Sequence, residues 1–123
     1  MPILDDKPWY CAALCVCETL ERENILQNVQ QRGEQLRNGL QAIAAKYPNQ
    51  IASVRGWGLI NGMELKADTQ LTAADVVKAA IAEGLLLVPA GPKVIRFVPP
   101  LIVTQEEVNT GLQVVERVMA SVL

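Results

Sequence analysis

Arg96 is the residue of this 123-residue chain whose type and setting most invite chemistry. It lies in Val94-Ile95-Arg96-Phe97-Val98, where strand alternation puts it on one face with Val94 and Val98, just ahead of Pro99-Pro100. A guanidinium close to an apolar face needs a partner, because taking it out of water is otherwise costly. That partner is either internal, with Glu64 on a neighbouring strand as the obvious choice, or a carboxylate ligand held by a two-pronged hydrogen-bonded pair. Arg55, beside Gly56 and Gly58, poses the same choice and is expected in solvent.

Other reactive side chains lead less far. The chain has no histidine, which excludes Ser-His-Asp and Cys-His nucleophile systems and histidine metal sites. Cys11, Cys15 and Cys17 are an odd, local set with neither a disulfide framework's arrangement nor a zinc spacing. They are expected as small apolar helix residues in a reducing, cytoplasmic setting. None of Lys7, Lys46, Lys66, Lys78 and Lys93 sits in an apolar run that would lower its pKa toward imine chemistry. Glu18, Glu21, Glu23, Glu106 and Glu107 read as cap and solvated face. Gly56-Trp57-Gly58-Leu59-Ile60-Asn61-Gly62 resembles a nucleotide fingerprint only superficially. Its spacing is one residue too long, and a strand follows it where a phosphate cradle needs a helix N-terminus. Catalysis by this chain alone therefore has no nucleophile or base.

Charge and length narrow the partners. Eleven basic and thirteen acidic residues leave a net charge of −2, which does not attract nucleic acid. No uncharged run approaches the ~18 residues of a membrane span, and Met1-Pro2-Ile3-Leu4-Asp5-Asp6 lacks the basic and apolar regions of a secretory leader. The length allows one domain, and the half of the residues that are apolar, with only five aromatic, build an aliphatic core.

The elements that must position Arg96 follow from periodicity. Residues 9–23 are apolar on nearly every side, as in a helix buried on more than one side. A break is expected at Glu21-Arg22-Glu23-Asn24. A second helix carries Ile25, Val29, Leu36, Leu40, Ile43 and Tyr47 on one stripe, with Gly33 at a skipped position that invites a close neighbour, and Pro48 ends it. Leu59 to Leu65 reads as a strand with Leu59, Met63 and Leu65 on one face and Gly62 as a bulge or close approach. Thr72 caps a short helix with Asp75 in its first turn, closed by Gly84. Leu85-Leu86-Leu87-Val88 reads as an apolar strand that Pro89 to Lys93 turns back into Val94 to Val98. Thr104-Gln105-Glu106-Glu107 is a capping box opening a last helix with Val108, Leu112, Val115, Met119 and Val122 inward. The expected fold is α/β (α+β), with a small antiparallel sheet of about three strands covered by helices.

Two segments resemble one family. Val54-Arg55-Gly56-Trp57-Gly58-Leu59-Ile60-Asn61-Gly62-Met63-Glu64-Leu65 is similar to the R-G-x-G-L-x-x-G-x-E-L segment of the class III pyridoxal-phosphate aminotransferases. Glu83 to Gly91, followed by Val94-Ile95-Arg96-Phe97-Val98-Pro99-Pro100-Leu101, resembles the end of the acetylornithine and ornithine aminotransferases. The resemblance covers residues 11–123, with residues 1–10 as a divergent start that matches nothing in the family's G-G-N-P region. It implies the C-terminal small domain of a fold-type I transaminase. It also implies that Arg96 binds the substrate carboxylate of glutamate or 2-oxoglutarate.

The same resemblance assigns the Schiff-base lysine, the aspartate on the pyridine nitrogen and the phosphate-binding loops to a large domain outside these residues. Pyridoxal phosphate belongs to the complete enzyme, and no covalent attachment is expected here. A small amino acid or oxo acid is the expected ligand. An alternative is a non-catalytic module that binds such an acid or another protein. Without a large domain, Trp9, Tyr10, Leu14 and Val16 would be partly exposed, favouring association through the first helix or a homo-oligomer.

Overall fold

The computed structural model describes residues 7–123. The first six positions of the divergent start lie outside the described residues. Four helices and four strands follow in the order α1 (Lys7–Arg22), α2 (Ile25–Lys46), β1 (Ile51–Trp57), β2 (Ile60–Leu65), α3 (Ala73–Ala82), β3 (Val88–Pro89), β4 (Val94–Phe97) and α4 (Gln105–Val122). The strands form one antiparallel sheet in the order β1-β2-β4-β3.

Sequence periodicity explains how this sheet acquires its core face. In β2, Met63 and Leu65 alternate inward and are almost fully buried, and in β4 Ile95 and Phe97 do the same. Against them lie Leu36, Leu40 and Ile43 of α2 and Val108, Val115, Val118 and Met119 of α4. Each fully buried aliphatic side chain contributes roughly 1.5–3 kcal/mol by leaving water. Ala73, Val76 and Ala80 seal α3 against the same core.

Local signals set most boundaries as read from the sequence. Asn24 breaks the chain between α1 and α2 by adopting φ 50°, a left-handed conformation that asparagine tolerates. The stripe of α2 is buried as expected, including Gly33. Thr104 caps α4 by accepting from the Glu107 N–H, one of the two bonds of the expected box. At α3 both bonds form: the Asp75 N–H donates to the Thr72 hydroxyl oxygen, and the Thr72 N–H donates to the Asp75 carboxylate at 3.1 Å.

The Thr72 hydroxyl also donates to the Asp75 carboxylate at 2.8 Å, and these bonds from Thr72 hold the Asp75 pKa below its ordinary 3.8. A depressed carboxylate stabilises the fold above its ordinary pKa and loses that contribution as pH falls through the folded value. Asp75→Asn should therefore lower the thermal midpoint at neutral pH. Melting curves of the two proteins should converge as pH drops below about 4; a gap that persisted there would show the ionised carboxylate is not the cause.

The expected small antiparallel sheet forms, and Ile51 to Trp57 adds β1 as its fourth strand by pairing along the whole of β2. Three sequence expectations are corrected. Only Val88 and Pro89 of the apolar run pair with β4, opposite Arg96 and Ile95, so residues 85–87 stay out of the sheet and Leu86 is exposed. The run has too few ladder partners, since β4 is four residues long. Gly62 is regularly paired, and the irregularity sits in β1 between Ile51 and Ser53. Finally, α1 is not buried on several sides. Residues 8–18 are all exposed, Trp9 at 73% and Val16 at 59%, and only Thr19 and Leu20 near its end are partly covered. Among the described elements, α1 meets α2 alone to any extent.

Candidate functional site

Arg96 stands on the outer face of the sheet, away from the helices. Because Ile95 and Phe97 point into the core, Val94, Arg96 and Val98 point out. The alternation read from the sequence holds, but the face it defines is the solvent face. Burial therefore does not force a partner on the guanidinium, since an exposed cation keeps its hydration.

Register brings a second arginine into line. Arg96 pairs across the ladder with Gly62, and Gly62 pairs on its other side with Arg55. Gly62 has no side chain, so an open trough runs between the two arginines, with Trp57, Ile60 and Val94 completing its lining. Trp57 is 91% exposed and Ile60 65%, so the trough presents apolar surface beside its two arginines.

The nearest acid is already engaged. Glu64 accepts from the Arg55 guanidinium at 3.0 Å and from the Ser53 hydroxyl at 3.2 Å. The expected internal pair between Glu64 and Arg96 is thus replaced by Glu64 with Arg55. Arg55 is exposed as expected, and among the described residues Arg96 forms neither a salt bridge nor a side-chain hydrogen bond. A free, solvated guanidinium beside a trough offers its planar fork to an incoming carboxylate.

The hairpin carrying this trough is fixed by Gly58, in the tight turn expected ahead of β2, and by Arg37 and Asn61, whose roles no motif signals. Gly58 opens the two-residue β1–β2 turn with φ 56°, which a side chain would resist. Its carbonyl accepts from Arg37 of α2 at 3.1 Å and from the Asn61 amide at 3.0 Å. Asn61 is buried on the same face as Leu59, Met63 and Leu65. That alternation was the available signal, because a polar side chain on a buried face must find a partner.

The remaining candidates do not converge on Arg96. Lys93 donates to the carbonyls of Thr69 and Leu71, and Lys46 pairs with Glu116, which raises the Lys46 pKa. No lysine lines the trough. The three cysteines are free and exposed on α1, and no group of three or more metal-ligating side chains forms among the described residues. A separate cleft of about 330 Å³ lies between the end of β4 and α4, lined by Leu36, Phe97, Val108, Leu112 and Val115. Its walls are apolar and Glu107 is its one charged residue, so it offers a carboxylate nothing.

Comparison with known proteins accounts for the architecture. The family described as aminotransferase class-III matches residues 7–119, and the chain belongs to that family. Within it, the chain is 73% identical over 116 residues to an acetylornithine aminotransferase of a Nostoc strain, covering 94% of this chain and 27% of that one. The solved N-acetylornithine aminotransferase of Stenotrophomonas maltophilia superposes with a TM-score of 0.74 at 36% identity, over 80% of this chain and 27% of that one. An ornithine aminotransferase of Toxoplasma gondii, described with partial occupancy of pyridoxal phosphate at its active site, superposes at 0.78 with 28% identity, over 85% and 25%. The chain thus spans about a quarter of the length of the relatives it matches. Among the described residues no helix is long and apolar enough to cross a membrane.

Proposed function

We propose that this chain is the C-terminal small domain of an acetylornithine aminotransferase-like enzyme, and that Arg96 receives the carboxylate of glutamate or 2-oxoglutarate. The whole enzyme would exchange an amino group between N-acetylornithine and 2-oxoglutarate, a step of arginine biosynthesis. One observation carries the role of Arg96: its guanidinium faces an open trough with no acid attached, although Glu64 stands one register step away. Two parallel N–H donors on one rigid fork match the two oxygens of a carboxylate, fixing its position and plane.

Pyridoxal phosphate, which the family uses, would supply the amino carrier and electron sink in the complete enzyme. The resemblance places the cofactor's lysine in a large domain outside these residues, so the isolated chain is expected to be inactive. The test is transamination of N-acetylornithine with 2-oxoglutarate by a longer polypeptide that joins this chain to a class III large domain, against the 123-residue chain alone. Activity should be confined to the longer polypeptide. Borohydride treatment of the short chain with pyridoxal phosphate should trap no stoichiometric adduct on a single lysine; such an adduct would overturn the assignment.

A second reading, association through α1, is favoured by the exposure of Trp9, Tyr10, Leu14 and Val16 along one unpartnered helix. The chain should then self-associate at high concentration, and Leu14→Glu with Val16→Glu should abolish this. A monodisperse monomer by light scattering would count against it. The free thiols of Cys11, Cys15 and Cys17 agree with a cytoplasmic setting for the enzyme.

A further inference from the structure

Glu64 lies on the central strand between the two arginines. Arg55 on β1 and Arg96 on β4 both pair with Gly62, and Glu64 is the next residue of β2 on the same outer face. It is therefore the diagonal neighbour of each arginine, at about 7–8 Å between backbones, a distance that long charged side chains span. The Arg55 guanidinium already meets it at 3.0 Å, and Gly62 puts no side chain between it and Arg96.

The choice is made on the β1 side. Ser53 is the direct cross-strand partner of Glu64, and its hydroxyl donates to the same oxygen that accepts from Arg55. On the β4 side the direct partner is Val94, which has no donor to offer. Two donors on one flank and an apolar side chain on the other tilt the carboxylate toward β1.

We propose that Arg55, assisted by Ser53, acts as a positioning residue that holds Glu64 off Arg96 and so keeps the Arg96 guanidinium open to a carboxylate ligand. Without Arg55, Glu64 turns to the remaining guanidinium and becomes an internal competitor for the site. This deepens the reading of Arg96 as the carboxylate receiver and rests on it. Because the Arg55–Glu64 pair is largely solvated, the gain in Arg96 availability is modest. Loss of Arg55 should weaken carboxylate binding by roughly three- to five-fold.

The test follows the Arg96 side-chain Nε–H by NMR in the 123-residue chain, with 2-oxoglutarate as the probe. In the natural sequence Glu64→Gln should leave this resonance nearly unchanged, and 2-oxoglutarate should shift it. In Arg55→Gln the resonance should move before any ligand is added, and the apparent dissociation constant should rise. Adding Glu64→Gln to Arg55→Gln should return both to their starting values, and Arg55→Lys should preserve most of the original behaviour. A merely structural role for Arg55 would not be rescued by neutralising Glu64. The inference is overturned if Arg55→Gln leaves the Arg96 resonance in place, or if Glu64→Gln fails to restore it. Silence of natural-sequence Arg96 toward 2-oxoglutarate would count against the carboxylate reading instead, while the resonance in the variants alone still decides where Glu64 turns.

Discussion

Gly33→Ala should destabilise the domain by about 3 kcal/mol or more, seen as a fall of roughly 10 °C in the thermal midpoint. A Cβ at position 33 would stand 2.6 Å from the carbonyl carbon of Gly58 and overlap its oxygen. That carbonyl cannot simply swing aside, since Arg37 and Asn61 both donate to it. Either α2 lifts from the hairpin, exposing Leu36 and Leu40, or the turn gives up two hydrogen bonds to partly buried donors. Gly39→Ala is the control. There the new Cβ overlaps both methyls of Leu112 and comes within 3.0 Å of its Cγ, so this partly exposed side chain must turn aside, but no backbone stands in the way. Alanine also favours helix over glycine by up to about 1 kcal/mol, so Gly39→Ala should cost far less than Gly33→Ala. Equal losses at both positions in urea unfolding would disprove the close-approach explanation.

Under the proposed role, Arg96→Gln should raise KM for 2-oxoglutarate about 100-fold or more in a complete enzyme that includes this chain. Each hydrogen bond to a charged group contributes roughly 1.5–3 kcal/mol, and a forked pair has two of them. The substitution lies on an exposed strand position, so the thermal midpoint should hardly change. Arg96→Lys keeps the charge and loses the fork, and should fall between the two. An unchanged KM in Arg96→Gln would remove Arg96 from the site and leave the family assignment intact.

Much of the fold was legible because its signals are local. Thr72, Asp75, Thr104 and Asn24 act through their own neighbours in the chain, and each helix terminus they mark lies where their chemistry puts it. The spacing of Leu36, Leu40 and Ile43 likewise names a buried face without reference to what covers it. Leu85-Leu86-Leu87 misled because apolar runs are shared by buried strands and by covering loops. Which one forms depends on whether another strand is long enough to pair with it. The apolar character of α1 misled for a related reason: composition tells how much surface a helix could bury, but the partner that would bury it is not in the helix.

At the trough the division is sharper. Residue types and alternation place Arg96 and Glu64 on strands, suit carboxylate recognition, and carry the resemblance of residues 54–65 and 83–101 to class III aminotransferases. These follow from residue identity and short-range periodicity. That Arg96 faces solvent, that Gly62 lines it up with Arg55 and that Glu64 pairs with Arg55 emerge only once the strands assemble. Strand order and register set those relations, and both arise from long-range pairing that no short segment encodes.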